Sequence, residues 1–324
     1  MGQVQTVLGP VDADRLGVTL MHEHVFILSP EVQQNWPTGW DEETAVAKAV
    51  DRLNELAAAG VSTIVDLTVV GLGRDIRLVK RVAEQVDLNI VVATGLYTYD
   101  ALPHYFDYRS AAFRPDNIDA LEEFFLVDIE DGIAGSGVRP GILKCATDKP
   151  GVTPGVERVL RAVAKVHRRT GIPISTHTHA PTHRGLEQQR IFESEGVDLS
   201  RVVIGHSGDS TDLEYLEALI QAGSTLGMDR FGVDIYCPTE QRIETVVRLC
   251  DMGWTSQLVL SHDAACHVDW FDAELLRQSA PNWHFLHLTN DIIPQLRDRG
   301  VTEAQVKTMM VDTPRRLLDN GPGY

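Results

Sequence analysis

Short runs of β-forming residues alternate with longer segments of helical periodicity along the chain, and this pattern constrains the fold more than any other feature. Runs such as Val202–Ile204 and Leu258–Leu260 are apolar at every position, which is typical of parallel strands covered on both faces. Eight strand–helix units predict an α/β fold of the (β/α)8 TIM barrel type. The predicted strands span residues 17–22, 62–67, 89–95, 140–145, 172–177, 201–206, 224–228 and 257–262.

The predicted helices and the lack of a linker indicate one domain over residues 1–324. No stretch rich in Gly, Pro or Ser divides the chain, and Gly60, Gly171 and Gly223 stand where helices are expected to end. A short strand is predicted at residues 4–8, and long connections at 104–117 and 264–283 are candidates for functional loops. The predicted helices span residues 43–59, 75–85, 118–134, 153–169, 183–194, 212–222, 239–249, 291–299 and 302–318.

The charge of the chain argues against polyanionic partners. Lys and Arg number 29 and Asp and Glu 46, which gives a formal net charge of -17, and no basic run is present. A phosphate backbone or an anionic membrane would be repelled, so neither nucleic acid nor a membrane is an expected partner. No apolar run approaches the roughly 18 residues that a membrane helix requires. The N-terminus lacks the features of a signal peptide, so we expect a cytoplasmic protein.

The ends of the predicted strands carry side chains that can bind metal. In a barrel these ends face the active site. The first strand ends in His22-Glu23-His24, where the two histidines share one side of the strand and Glu23 faces the other. Equivalent positions after the fourth, fifth, sixth and eighth strands are occupied by Lys144, His177, His206 and Asp263.

The intervals between these residues fit one shared site. Lys144, His177 and His206 follow one another at about one strand–helix unit, and Asp263 follows two units later. A single buried histidine is more often a hydrogen-bonded core residue than a ligand, but four at equivalent strand ends predict a metal site. Imidazole and carboxylate ligands suit Zn, Fe, Co or Mn rather than Ca.

Lys144 does not fit a metal site as an ordinary lysine. It lies in the apolar stretch 141–146, where a buried ammonium group is costly and a nearby cation makes it costlier. Either Lys144 points away or pairs with an acid, or it is uncharged or chemically altered within the site.

The combined pattern resembles the phosphotriesterase family of the amidohydrolase superfamily, and in particular its phosphotriesterase-like lactonases. The resemblance extends almost from end to end. The matching stretches are GVTLMHEH (17–24), IVDLT (64–68), GLYTY (95–99), GILKC (141–145), ISTH (174–177), VIGH (203–206), GMDRFG (227–232) and LSHD (260–263).

The resemblance implies two divalent metal ions at the strand ends, with zinc the first expectation and Co, Fe or Mn the alternatives. It places His22, His24 and Asp263 on the buried ion and His177 and His206 on the more exposed one. Lys144, carboxylated on its side-chain nitrogen by CO2, would bridge the ions together with a hydroxide. A carbamate is anionic, which removes the cost of a buried ammonium group. The resemblance also implies a homodimer.

The resemblance further implies a hydrolase that opens lactone rings, such as those of N-acyl-homoserine lactones and related γ- and δ-lactones, with organophosphate triesters as secondary substrates. Asp263 is the natural proton acceptor. Tyr97 resembles the lactonase tyrosine that contacts the lactone, and Arg230 resembles the arginine near the substrate oxygen, where both can stabilise an oxyanion. Trp270 and Tyr99 are candidate pocket residues, but a structural or dimer-packing role explains Trp270 equally well, and packing is the favoured explanation for Tyr99.

Other functions stay open at this point. The alternatives are a dedicated organophosphate triesterase, a hydrolase of cyclic amides, and a non-catalytic metal-binding barrel. For Arg230 a loop ion pair with Asp229 or Asp234 is the alternative to a substrate contact, and Tyr97 could serve in packing alone.

Overall fold

A nine-stranded parallel sheet forms the centre of the molecule within residues 2–115, 117–319 and 321–324, the part of the chain that the computed structural model describes. A two-stranded hairpin precedes it. In chain order the strands are β1 (Gln3–Thr6), β2 (Gly9–Asp12), β3 (Thr19–Ile27), β4 (Thr63–Asp66), β5 (Asn89–Gly95), β6 (Ile142–Thr147), β7 (Ile174–Thr178), β8 (Val202–Ile204), β9 (Thr225–Met228), β10 (Leu258–Leu260) and β11 (Ala265–Val268).

The sheet curls until its first and last strands meet. Strands β3 to β10 lie side by side in sequence order, and β11 pairs with the free edge of β3. Beyond the end of β10, the Asp263 N–H donates to the His22 carbonyl at 3.0 Å, and the His24 N–H donates to the Ala264 carbonyl at 2.8 Å. These bonds join the two ends of the sheet, and the predicted α/β barrel is confirmed.

Helices follow the strands and cover the outside of the sheet. Asp41 accepts a hydrogen bond from the Thr44 N–H at the start of one helix, and Thr153 accepts one from Val156 at the start of another. The α-helices are α1 (Pro30–Asn35), α2 (Glu42–Ala58), α3 (Ile76–Ala83), α4 (His104–Asp107), α5 (Ala120–Glu130), α6 (Pro154–Thr170), α7 (Arg184–Ser194), α8 (Leu213–Gln221), α9 (Thr239–Asp251), α10 (Ala273–Ser279), α11 (Ile293–Asp298), α12 (Glu303–Lys307) and α13 (Thr313–Leu318).

Side chains of the strands alternate between two apolar layers. Val65 and Val91 belong to the cluster that fills the inside of the barrel. Their neighbours Ile64 and Val92 belong to the larger cluster between the strands and the helices. This alternation explains why the strands are apolar at consecutive positions.

An irregularity in β3 brings its first histidine into the barrel. Leu20 and Glu23 are three residues apart in β3 but oppose residues of β4 that are only two apart. A bulge of this kind redirects side chains. Met21 packs inside the barrel while the next residue, His22, lines the cavity above it.

Several details differ from the sequence-based predictions. The strand expected at residues 4–8 ends at Thr6, because Gly9 adopts a left-handed φ of 115° and turns the chain back as β2. The connection expected at 264–283 contains β11 and α10. The helix expected at 302–318 is α12 and α13 with a π-helical segment, Thr308–Asp312, between them. Residue 116, in the connection expected at 104–117, lies outside the described residues.

None of the helices in the described ranges has both the length and the apolar character that a membrane crossing requires.

The pairing of β5 with β6 predicts an intolerant position at Gly95. This residue has a φ of 151°, and a Cβ built there would lie 1.8 Å from the Lys144 carbonyl oxygen. We expect Gly95→Ala to lower the apparent Tm by about 5 °C or more, because strands β5 and β6 must separate. Gly253→Ala is the matched control, since it has a φ of 89° with open space around the new Cβ. Equal Tm values for the two variants would contradict the account.

Candidate metal centre

The six side chains predicted as metal ligands meet on the floor of one cavity of about 310 Å³. His22, His24, Lys144, His177, His206 and Asp263 all line it. Oδ1 of Asp263 lies 3.2 Å from His22 Nε2 and 3.0 Å from His24 Nε2. On the other side of the floor, His206 Nε2 lies 2.9 Å from His177 Nδ1.

Three residues of the site have backbone conformations that non-glycine residues rarely adopt. The φ angles are 58° for His206, 65° for Arg230 and 57° for Asp263. Each residue follows a strand by two or three positions, so the left-handed turn directs its side chain over the end of the barrel. Such strain costs about 1–3 kcal/mol per residue and is found mainly at functional sites.

One carboxylate orients two of the histidines. Asp229, which directly follows β9, lies with Oδ2 2.8 Å from His22 Nδ1 and with Oδ1 2.7 Å from His206 Nδ1. It also accepts the backbone N–H of His206 at 3.0 Å. Asp229 is 2% exposed. The two imidazoles therefore carry hydrogen on Nδ1 and present the Nε2 lone pair to the cavity.

The other two histidines have equivalent partners. His24 Nδ1 lies 2.8 Å from the Thr68 hydroxyl, which donates to Asp66. His177 is turned the other way, since its Nε2 lies 2.5 Å from Asp148 and its Nδ1 faces the cavity. All four rings thus have one nitrogen held by the protein and one nitrogen directed inward, as in metal sites where outer carboxylates fix the histidine tautomer.

The charge states of these groups suit metal binding. Burial lowers the pKa of His22, lowers that of His177 to about 4 and lowers that of His206 well below its usual range, so the imidazoles are neutral at neutral pH. Burial alone would raise the pKa of Asp263, but His22, His206 and Arg230 together hold it well below its usual range. Asp263 is therefore an anion beside the neutral imidazoles of His22, His177 and His206.

Lys144 is buried here without an ion pair to a described carboxylate, although Asp263 and Asp229 lie near enough to raise its pKa against the effect of burial. Its side chain is 1% exposed, and its Nζ lies 3.3 Å from His22 Nε2. No carboxylate in residues 2–115, 117–319 and 321–324 forms an ion pair with it. Burial lowers the pKa of Lys144 to about 8. Of the possibilities left open by the sequence, the structure excludes an outward-pointing or ion-paired lysine within these residues.

The donor set fits a divalent metal. Ligand atoms of His22, His24 and Asp263 lie within 4.8 Å of one another. Ligand atoms of His22, His206 and Asp229 also lie within 4.8 Å of one another. In this second group, however, the short contacts are the hydrogen bonds from the two Nδ1 atoms to Asp229 described above, so Asp229 orients the histidines and is not counted as a ligand.

Tyr97 and Arg230 flank the floor. The Tyr97 hydroxyl lies 3.2 Å from His177 Nδ1 and is hydrogen-bonded to the Tyr99 hydroxyl. Arg230 donates from Nε to Asp263 Oδ2 at 3.0 Å and from Nη1 to Asp209 Oδ2 at 2.8 Å. The ion pairs that the sequence left open, with Asp229 or Asp234, are replaced by these two.

Apolar side chains form the walls above the polar floor. Tyr99 and Trp270, the two predicted pocket residues, are among them. Sequence reasoning missed most of the rest, because nothing local marks a residue that faces a cavity. The additional wall residues include Ile27, Leu72, Val233, Ile235, Tyr236, Val268, Leu276 and Trp283.

Three acidic residues next to the site were also missed. Asp148, Asp209 and Asp229 contact His177, Arg230 and two histidines respectively. Asp229 had a signal, since it directly follows the seventh predicted strand, where the strand-end rule applies to it as to His206.

An α/β barrel that gathers imidazoles, a carboxylate and a buried lysine at its strand ends defines a metal-dependent hydrolase. The model of the phosphotriesterase family matches residues 2–318. The chain belongs to this family, which confirms the resemblance seen in the sequence.

Individual relatives agree over nearly the full length. The structure of a phosphotriesterase from Mycobacterium tuberculosis is similar with a TM-score of 0.96 and 58% identity, covering 99% of this chain and 100% of that one. An aryldialkylphosphatase of Saccharolobus solfataricus is 39% identical over 310 residues, which are 95% of this chain and 96% of the relative. A mutant of a PTE-like lactonase from Deinococcus radiodurans has a TM-score of 0.88 and 34% identity, covering 97% of this chain and 99% of that one.

The bridging position of Asp229 predicts a loss of metal affinity in Asp229→Asn. An amide has one acceptor oxygen, so its NH2 group would face the N–H of either His22 or His206. We expect metal affinity to fall about 10- to 100-fold. Metal content after dialysis against graded chelator concentrations measures this effect. Asp251→Asn, at the exposed end of α9, is the control. Unchanged affinity in a correctly folded Asp229→Asn protein would refute the orienting role.

Proposed function

We propose that this protein is a metal-dependent lactonase that opens N-acyl-homoserine lactones and related γ- and δ-lactones. The observation that carries the proposal is a floor of metal-ligand side chains beneath apolar walls, with the Tyr97 hydroxyl beside that floor. The floor suits the polar lactone ring, and the walls suit an acyl chain. The similarity to a PTE-like lactonase supports the same assignment.

We propose two divalent ions, zinc in the first place with Co, Fe or Mn as alternatives. His22, His24 and Asp263 would hold one ion, His177 and His206 the other, and Lys144 would join them as a carbamate. The absence of an ion pair between Lys144 and any described carboxylate supports this modification, because a buried ammonium group would lie unpaired beside two cations, whereas an anionic carbamate would be attracted to them. When bound, the ions supply a Lewis acid and lower the pKa of water.

Asp263 is the proposed proton acceptor. Its neighbours keep it ionised, and its Oδ2 is held by Arg230 at 3.0 Å. It would take a proton from the attacking water and pass it to the alkoxide that leaves when the ring C–O bond breaks, which yields a hydroxy acid. Arg230 would keep Asp263 in position for both transfers.

Tyr97 is the proposed hydrogen-bond donor to the lactone. Burial raises its pKa well above the usual range, so the phenol keeps its proton at neutral pH. A neutral hydroxyl can donate to the lactone oxygen as charge develops there. For Arg230, burial opposes the charge, but Asp209 and Asp263 raise its pKa well above the usual range, so it remains a cation.

The second candidate function is organophosphate triester hydrolysis. It is favoured by the similarity to an aryldialkylphosphatase. The same floor can act on a phosphoryl group, and the apolar walls accept alkyl and aryl substituents as well as acyl chains.

Relative catalytic efficiency distinguishes the two functions. The test compares butanoyl- and dodecanoyl-homoserine lactone, a δ-lactone and a paraoxon-type triester with metal-reconstituted protein. We expect kcat/KM for the lactones to exceed that for the triester by several orders of magnitude. A higher kcat/KM for the triester would refute the lactonase assignment in favour of a triesterase.

Removal of one hydroxyl tests the role of Tyr97. In Tyr97→Phe we expect kcat/KM for lactones to fall about 100- to 1000-fold, with a much smaller change for the triester. Tyr105→Phe, at a residue that is 60% exposed, controls for loss of a tyrosine hydroxyl elsewhere. An equal fall for lactones and triester would point to damage at His177 instead, which metal analysis of the variant would detect.

A further inference from the structure

The outer wall of the cavity, formed by Trp270 and Phe271, is only partly covered by the rest of the protein. Trp270 and Phe271 line the cavity, yet they are 45% and 53% exposed. They lie between the end of β11 and the start of α10, and neither forms a backbone hydrogen bond with another described residue. Another contact must therefore define where this wall stands.

Asp269, immediately before Trp270, provides that contact. Its carboxylate accepts the Ser29 N–H at 2.7 Å, the Ser29 hydroxyl at 2.9 Å and the Gln33 side-chain amide at 3.1 Å. Its own N–H donates to the Ile27 carbonyl at 3.1 Å. Both the main chain and the side chain of Asp269 are thus attached to the segment that follows β3.

The segment that follows β3, which contains Ser29 and helix α1, is held by the same contact with Asp269. Helix α1 begins after Ser29 and buries none of its side chains. The Ser29 hydroxyl does not cap the helix and donates to Asp269 instead. The carboxylate therefore extends the pairing of β11 with β3, because it joins the two exposed segments that follow these strands.

We propose that Asp269 is a positioning residue that sets the selectivity of the protein for the apolar substituent of its substrate. By joining α1 to the wall, it holds Trp270 and Phe271 in place before the substrate binds. Long acyl chains extend to this wall, whereas an unsubstituted lactone ring stays at the polar floor. The inference rests on the proposed lactonase function for the identity of this substituent.

Preorganisation explains why the effect depends on chain length. Ordering a side chain when a ligand binds costs conformational entropy and so lowers the affinity. A wall that is already ordered avoids this cost for substrates that contact it. Substrates that do not contact the wall gain nothing from it.

The test is the kcat/KM of Asp269→Ala for dodecanoyl-homoserine lactone and for γ-butyrolactone, with metal-reconstituted protein. We expect a roughly tenfold fall for the long-chain lactone, mostly through KM, because two side chains must then be ordered on binding. For γ-butyrolactone we expect little change. Equal falls for both lactones, or no change for the long one, would overturn the proposal.

Asp272→Ala is the matched control. Asp272 lies on the same loop and accepts hydrogen bonds from Glu274 and Leu275, so it caps its own helix α10 without joining two segments. We expect it to leave the ratio of the two kcat/KM values unchanged. If Asp269→Ala does not fold, Gln33→Ala removes one of the three donors from the other side and should shift the ratio in the same direction.

Hydrogen–deuterium exchange separates this inference from the proposed function, because it requires no substrate. Residues 28–36 and 269–272 should exchange faster in Asp269→Ala than in Asp272→Ala. Unchanged exchange would overturn the inference whatever the substrate. If the wild-type protein hydrolyses the triester alone, the lactonase function is refuted. The effect of Asp269→Ala would then be measured with two triesters, one with small and one with large alkyl groups, in place of the two lactones.

Discussion

The join between the first and last strands of the barrel is the constraint on which the rest of the site depends. Glu23 of β3 is fully buried, and its carboxylate accepts the N–H of His262 at 2.9 Å and that of Ala264 at 2.9 Å. The His262 ring contributes a further contact at 2.8 Å. A buried carboxylate is stable only with such partners. Because Asp263 lies between these two residues, the bonds that close the barrel also place its side chain beside His22 and His24.

Electrostatic compensation extends outward from this join. Asp229 holds two histidines, Asp148 holds a third, and Asp209 and Asp263 hold Arg230. The polar groups beneath the cavity are thus paired with one another, whereas Lys144 is a buried charge that forms no ion pair with a described carboxylate, although Asp263 and Asp229 lie near enough to raise its pKa. This imbalance is the physical reason to expect an anionic modification at Lys144. The hydrogen bonds on the outer ring nitrogens direct the inner nitrogens toward one another and toward Asp263, where a metal ion could bind.

The barrel and the six candidate ligands could be predicted from the sequence because both depend on local pattern. Alternating strands and helices have characteristic periods, and strand ends in a barrel share one face. The partners Asp148 and Asp209 could not be predicted, since their contacts join distant segments. The left-handed backbone of His206 and Asp263 has no sequence signal in non-glycine residues. Strand β11 was missed because Ala265–Val268 is short and becomes a strand only by pairing with β3.

We propose that these side chains hold two metal ions joined through a modified Lys144. Anomalous diffraction from crystals of the metal-reconstituted protein tests it most directly. We expect two anomalous peaks about 3.5–4 Å apart, one beside His22, His24 and Asp263 and one beside His177 and His206, with electron density for a carboxylate on Lys144 Nζ. A single peak, or two peaks with an unmodified lysine between them, would contradict it.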